Sequence, residues 1–131
     1  MATFERFEDI KAWQLSRELC KQIHGYTLHL KFSKDFKLVG QISGSSGSIM
    51  DNIAEGFERG GNKEFVQFLS FSKGSSGELK SQLYRALDNE YITKNEFDEA
   101  YSKADEISKM VGSLMVYLSK SEIKGPKFKR E

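Results

Sequence analysis

The chain has 131 residues, a formal net charge of +1 and 30% charged residues. It is long enough for one ordinary domain, and it lacks the overall basic excess that marks many nucleic-acid-binding proteins. Its one cysteine excludes an internal disulfide, and its two histidines make no metal motif with another ligand type. The first residues lack the apolar segment of a signal peptide, and no run approaches the ~20 apolar residues of a membrane span. We expect a cytoplasmic protein with no cofactor, metal, membrane partner or small-molecule substrate.

Four amphipathic segments with short connections predict an all-α protein. Apolar residues recur at intervals of three and four along each segment, and no segment shows the sustained alternation typical of a strand. The pattern predicts an up-down-up-down antiparallel four-helix bundle over residues 1–120 and a basic, disordered tail over residues 121–131. The predicted helices run from Phe7 or Glu8 to about Leu30, from Asp35 to about Glu58, from Lys63 to about Glu90, and from the YITKN break to about Lys120.

Residue types near the predicted breaks indicate where helices begin and end. Glu8 and Asp9 suit the first turn of the first helix, where the helix dipole favours acidic groups. Glycine ends helices and short polar side chains cap them. The predicted end signals are Ser33 or Asp35, Gly60 and Gly61, Asn62, and Thr93 or Asn95. The predicted buried stripe of the first helix, which Leu15 and Leu19 widen, includes Ile10, Trp13, Cys20, Ile23, Thr27 and Leu30.

Two series of small residues lie at helical spacing inside the second and third predicted helices. Each series forms a stripe along which another backbone can approach closely, because positions three, four and seven apart share a helix face. Glycine inside a helix costs about 0.5–1 kcal/mol relative to alanine, so we predict that tight packing, against each other or against a neighbouring subunit, offsets this cost. The alternative is that GSSGS and GSSGE are loops that break the helices. The stripes are Gly40, Gly44, Gly47 and Ser48, and Ser70, Gly74, Gly77 and Ser81.

The segment DNIAEGFER places three polar side chains on one helix face. Asn52, Glu55 and Arg59 are three and four residues apart, so they lie above one another on a helix. A polar side chain near a close helix contact can fix the register between helices or subunits. The same Asn and Glu are also suited to a ligand site, and the sequence leaves both interpretations open.

Basic side chains occur on the third helix and near the carboxy terminus. From Lys120 onward the chain has five basic and two acidic residues, a local net charge of +3. These groups are candidate contacts for the phosphates of RNA or DNA; a solvated helix face and a solubilising terminus are the alternative interpretations. The candidates are Arg59, Lys73, Lys80, Arg85, Lys127, Lys129 and Arg130.

The sequence offers no convincing catalytic constellation. It lacks the GxSxG motif of a nucleophile elbow, and GQISGSSG lacks the lysine and the preceding strand of a phosphate-binding loop. Asp51 and Glu55 stand at helical spacing, but no Glu-x-x-His pattern accompanies them. We predict a protein that is not an enzyme.

A chained set of motifs covers the middle of the sequence: SI at Ser48 and Ile49, NIAEG at Asn52 to Gly56, Arg59, EF-x-x-FL from Glu64 to Leu69, GS-x-x-EL from Gly74 to Leu79, and QL at Gln82 and Leu83. With these motifs the chain resembles the four-helix-bundle proteins encoded within intervening sequences of bacterial 23S ribosomal RNA genes. The resemblance implies a left-handed antiparallel bundle that assembles as a ring-shaped homopentamer. The accessory proteins of diversity-generating retroelements are similar, and in them basic surfaces of the ring bind nucleic acid and a reverse transcriptase.

One departure from the family pattern removes a basic site. Relatives usually carry an arginine pair shortly after the glutamine of the second helix, whereas here Gln41 is followed by Ile42, Ser43 and Gly44. We therefore predict a non-catalytic bundle that self-associates and acts as a scaffold or adaptor; the alternative is a module that binds RNA or DNA through basic surfaces of the oligomer. The residues predicted for helix or oligomer contacts are Gly40, Gly44, Gly47, Ser48, Asn52, Glu55, Gly74 and Gly77.

Overall fold

The structure is a computed structural model that describes residues 4–121. Every regular element in that range is helical, which confirms the predicted all-α class. The elements are a 3-10 turn at Phe7–Asp9, α1 at Lys11–Thr27, α2 at Leu30–Ser33, α3 at Phe36–Arg59, α4 at Asn62–Asp88 and α5 at Lys94–Ser121. The predicted basic tail, with Lys127, Lys129 and Arg130, lies outside the described residues apart from Ser121.

The four long helices form the predicted bundle. α1 packs against α3 and α5, and α4 packs against the same two helices. At one end of the bundle the Tyr26 hydroxyl of α1 donates a hydrogen bond to the Glu96 carbonyl of α5 at 3.0 Å, and the Tyr91 hydroxyl donates one to the Asp35 carboxylate at 2.8 Å. Because α1 and α4 end where α3 and α5 begin, successive long helices are antiparallel.

The first long helix is shorter than predicted. Glu8 and Asp9 lie in the 3-10 turn that precedes α1, not in its first turn. Trp13 and Cys20 are half-buried, and Leu30, which lies beyond the end of α1, is 77% exposed. The predicted positions Ile10, Ile23 and Thr27 are buried, and so is Leu19. The sequence missed Tyr26 and two small buried residues, Ala12 and Ser16, which carry little apolar signal.

Several predicted helix-end signals are confirmed. Asp35 caps α3 by accepting a hydrogen bond from the Leu38 N–H at 3.1 Å. Gly60 follows α3 with a φ of 92°, in the left-handed region that favours glycine. At the start of α5 the Glu96 N–H donates to the Thr93 hydroxyl at 3.1 Å, and the Thr93 N–H donates to the Glu96 carboxylate at 2.9 Å. This reciprocal pair is a capping box.

The predicted cap of α4 is wrong. Gly61 holds the cap position, with an extended backbone and no side-chain bond. The Asn62 side chain instead donates a hydrogen bond from Nδ2 to the Leu118 carbonyl at 3.3 Å. Asn62 therefore ties the start of α4 to the last turns of α5.

Small residues set the spacing between α3 and α4. A Cβ atom on Gly56 would lie 2.7 Å from the Phe68 Cβ and 3.0 Å from the Phe65 ring, closer than real Cβ atoms normally approach. Farther along the same contact, the buried Ser72 hydroxyl donates to the Ile49 carbonyl at 2.9 Å. A side chain larger than hydrogen at position 56 would push the two helices apart.

We expect Gly56→Ala to lower the free energy of unfolding by about 1–3 kcal/mol, because the added methyl group overpacks this contact. Gly25→Ala is the matched control, since a Cβ on Gly25 in α1 would meet nothing within 4 Å. The control should raise stability by about 0.5–1 kcal/mol. Urea denaturation followed by circular dichroism measures both variants, and equal effects at the two glycines would contradict the packing argument.

The Glu96 carboxylate joins α5 to the end of α1. Its Oε2 atom lies 2.9 Å from the His29 Nε2 atom, and its Oε1 atom accepts the hydrogen bond from the Thr93 N–H. Burial acts to raise the pKa of Glu96, but the hydrogen bonds from Thr93 and His29 outweigh it, so this pKa lies below its ordinary value. The ionised form of Glu96 therefore stabilises the folded state.

We expect the stabilisation by Glu96 to be present above the ordinary carboxyl pKa of 4.5 and to be lost as the pH falls through the lower pKa of the folded state. Glu96→Gln should thus lose less stability than the wild type between about pH 6 and about pH 3. Glu99→Gln, at an exposed position on the same helix, is the control. Urea denaturation at each pH measures the loss, and an equal loss in wild type and Glu96→Gln would be evidence against this role.

Candidate interaction surface

The two predicted stripes of small residues lie on one outer face of the bundle. α3 and α4 are neighbours, and both stripes point away from the core. Both helices run through their GSSG segments without a break, so the loop interpretation is wrong. We call this surface the Gly/Ser face. It consists of Gly40, Gly44, Gly47 and Ser48 on α3 and of Ser70, Gly74, Gly77 and Ser81 on α4.

The glycines of this face have open space where a side chain would be. A Cβ atom added at any of them would meet no other atom within 4 Å, in contrast to Gly56. The stripes are rotated away from the line along which α3 and α4 touch, so the prediction that these glycines let the two helices pack against each other is wrong. Their packing against a neighbouring subunit stays a prediction. The glycines concerned are Gly40, Gly44, Gly47, Gly74 and Gly77.

A groove of about 480 Å³ runs along the Gly/Ser face between α3 and α4. Two side-chain hydrogen bonds cross it: Ser45 Oγ donates to Gln82 Oε1 at 2.6 Å, and Arg85 Nη1 donates to Gln41 Oε1 at 3.0 Å. The first pair is buried and the second is exposed. Arg85 thus brings a guanidinium group from α4 to the region where the expected arginine pair of α3 is missing.

The polar residues of DNIAEGFER have structural partners. Asn52 Nδ2 donates to both the carbonyl and the hydroxyl of Ser48 at 2.9 Å, and Ser75 of α4 donates to the same hydroxyl at 3.0 Å. Glu55 accepts a hydrogen bond from Arg59 at 3.0 Å. These contacts favour the structural interpretation for Asn52, which holds the Ser48 hydroxyl where Ser75 of α4 bonds it.

Two of the candidate basic residues are held by partners. Arg59 pairs with Glu55, and its guanidinium lies 4.9 Å from the centre of the Phe68 ring. Lys80 Nζ lies 2.7 Å from the Asp105 carboxylate, and hydrogen bonds from Lys80 and a second lysine hold the pKa of Asp105 below its ordinary value. Much of the charge on these two cations is thus offset locally.

The described basic candidates do not form one patch. Lys73 Nζ lies 3.7 Å from the position of a Cβ on Gly112, so Lys73 and Lys80 face α5. Arg85 lies at the groove between α3 and α4, and Arg59 lies at the far end of α3. Lys73 and Lys80 lie together on the α5 side of α4, whereas Arg59 and Arg85, which both reach between α3 and α4, lie at opposite ends of the bundle.

Two exposed aromatic residues on α3 and α4 were not predicted from the sequence as part of a site. Phe36 begins α3 one turn before Gly40 and is 83% exposed. Phe71 lies on α4 one turn before Gly74 and is 47% exposed. The signal in the sequence was an aromatic residue one turn ahead of the first glycine of each stripe.

No helix within residues 4–121 has the length and apolar character needed to cross a membrane. In the same range, no group of three or more His, Cys, Asp or Glu side chains is arranged to hold a metal ion. Within residues 4–121, the Gly/Ser face of the bundle is the feature that we consider first as an interaction site.

These features define an all-helical bundle of the kind predicted from the motifs. The 23S rRNA-intervening sequence protein family matches residues 8–113, and the chain belongs to that family. The chain is also similar to a crystal structure of a protein with unknown function from the S23 ribosomal protein family of Bacteroides thetaiotaomicron VPI-5482. The two share 25% identity and a TM-score of 0.74, over 79% of this chain and 97% of that one. No match was found among curated proteins.

Proposed function

We propose that this protein is a non-catalytic building block that associates with copies of itself through the Gly/Ser face and serves as a scaffold. The observation that carries the proposal is the set of five helical glycines at which an added Cβ atom would meet no neighbouring element of the subunit. At about 0.5–1 kcal/mol each, they disfavour α3 and α4 by a few kcal/mol in total. That is a sizeable share of the 5–15 kcal/mol that typically stabilises a domain.

A helix of another protein molecule is a suitable partner for such a surface. Without side chains in the way, two backbones approach closely and gain contacts along their whole length. The exposed aromatic rings of Phe36 and Phe71 flank the glycines and would lose water-exposed apolar area in the same contact. The homo-oligomer implied by the family resemblance makes a second copy of the chain the first partner to test.

We expect Gly44→Leu and Gly77→Leu to remain folded but to lose self-association, because a leucine at either position has free space in the subunit and none under a closely packed helix. Gly25→Leu is the matched control, since Gly25 is also an open helical glycine but lies on α1. Light scattering at several protein concentrations measures the mass, and circular dichroism checks the fold.

The control and the wild type should assemble alike. A Gly44→Leu protein with the mass of the wild-type assembly would rule out this face as the contact. A wild-type protein that stays at 15.0 kDa at every concentration would refute self-association altogether.

A further inference from the structure

A second groove lies between the start of α1 and the second half of α5, and most of its lining is apolar. We call it the α1/α5 groove; its volume is about 410 Å³. Two of its apolar residues are half-buried and three are buried. An apolar groove that is open to water is a suitable place for another apolar group to dock. The apolar lining residues are Phe4, Ile10, Ala12, Met110 and Leu114.

The apolar surface continues from this groove toward the end of α5. Met110, Leu114, Tyr117 and Ser121 are separated by four, three and four residues, so they lie on one face of the helix. The Tyr117 side chain is 43% exposed. Its ring extends the apolar surface from the groove to Ser121, the last residue that the structure describes.

The chain that follows Ser121 contains an apolar group that can reach the groove. Residues 122–131 read EIKGPKFKRE, in which Ile123 and Phe128 are the large apolar residues and a Gly-Pro pair between them is a turn signal. Leu114 lies seven residues before Ser121, which is about 10 Å along the helix axis. Phe128 lies seven residues after Ser121 and reaches up to about 23 Å from it, whereas Ile123 reaches only about 7 Å.

We propose that residues 122–131 turn back along α5 and dock in the α1/α5 groove of their own chain, with the Phe128 ring inside the groove. A cavity of about 150 Å³ accommodates a benzene ring, so the groove has room for this side chain. The proposal departs from the disordered tail predicted from composition. It is independent of the self-association through the Gly/Ser face.

The charges on the two sides of the proposed contact have opposite signs. Residues 4–11 contain three acidic and two basic side chains, a net charge of −1, and residues 122–131 contain four basic and two acidic side chains, a net charge of +2. Asp9 lines the groove, and a lysine stands on each side of Phe128 in the sequence. Exposed charges attract one another only weakly, so burial of the Phe128 ring is the main source of affinity.

Filling the groove from its rim tests the docking without changing the tail. Ser113 is exposed and lines the groove, so Ser113→Trp would place an indole ring in it. Trypsin should then cleave after Lys127 and Lys129 roughly tenfold faster than in the wild type, because the burial of the phenylalanine ring is lost. Ser119→Trp, at an exposed position of α5 outside the groove, is the matched control and should be cleaved like the wild type. Circular dichroism checks that both variants are folded.

Photo-crosslinking locates the tail directly. Benzoylphenylalanine in place of Phe128 should react on irradiation with Phe4, Met110 or Leu114, and mass spectrometry under denaturing conditions should show the product at the mass of one chain. Ser113→Trp should reduce this product, and Ser119→Trp should not.

Crosslinks to the groove within one chain, together with faster cleavage of Ser113→Trp alone, support the proposal. Equal cleavage of all three proteins overturns it, and so do crosslinks that map to another part of the chain. A product with the mass of two chains also overturns it, because the groove then holds the tail of a second copy. None of these results bears on Gly44→Leu, which tests the Gly/Ser face separately.

Discussion

The close contact between α3 and α4 is the constraint on which the rest of the structure depends. It is possible because Gly56 has no side chain to separate the backbone of α3 from Phe68 and Phe65 of α4. Two buried serines extend this contact. The Ser72 hydroxyl of α4 donates a hydrogen bond to α3, and the Ser45 hydroxyl of α3 donates one to α4. The contact sets the two helices side by side, and this placement brings the two stripes of small residues onto one surface.

The small residues of α3 and α4 therefore have two different roles, depending on whether they face the core or the outside of the bundle. Facing the core, they are covered, and their hydrogen bonds and close contacts fix the helix spacing. Facing outward, Gly44 and Gly77 have the helix-weakening effect of glycine without any contact in the subunit to offset it. This contrast within one pair of helices is the physical basis for placing a partner on the outer face.

The fold was largely predictable, because spacing and capping are local properties of a sequence. Asp35, Gly60 and Thr93 act at helix ends as their chemistry requires, whereas Asn62 found a long-range partner in Leu118 that no local rule anticipates. Helical spacing also showed which glycines share a face. It does not show which neighbour covers that face, and so the open stripes and the closed contact at Gly56 could be told apart only in three dimensions.

Hydrogen–deuterium exchange of the wild-type protein over a series of concentrations tests whether copies of the chain cover the Gly/Ser face. If copies cover the Gly/Ser face, peptides spanning residues 36–48 and 71–85 should exchange more slowly as the concentration rises. Peptides from the middle of α5, which lies diagonally across the bundle from α3, should not change. Exchange that is independent of concentration in α3 and α4, or slowing confined to α5, would show that copies of the chain do not cover the Gly/Ser face.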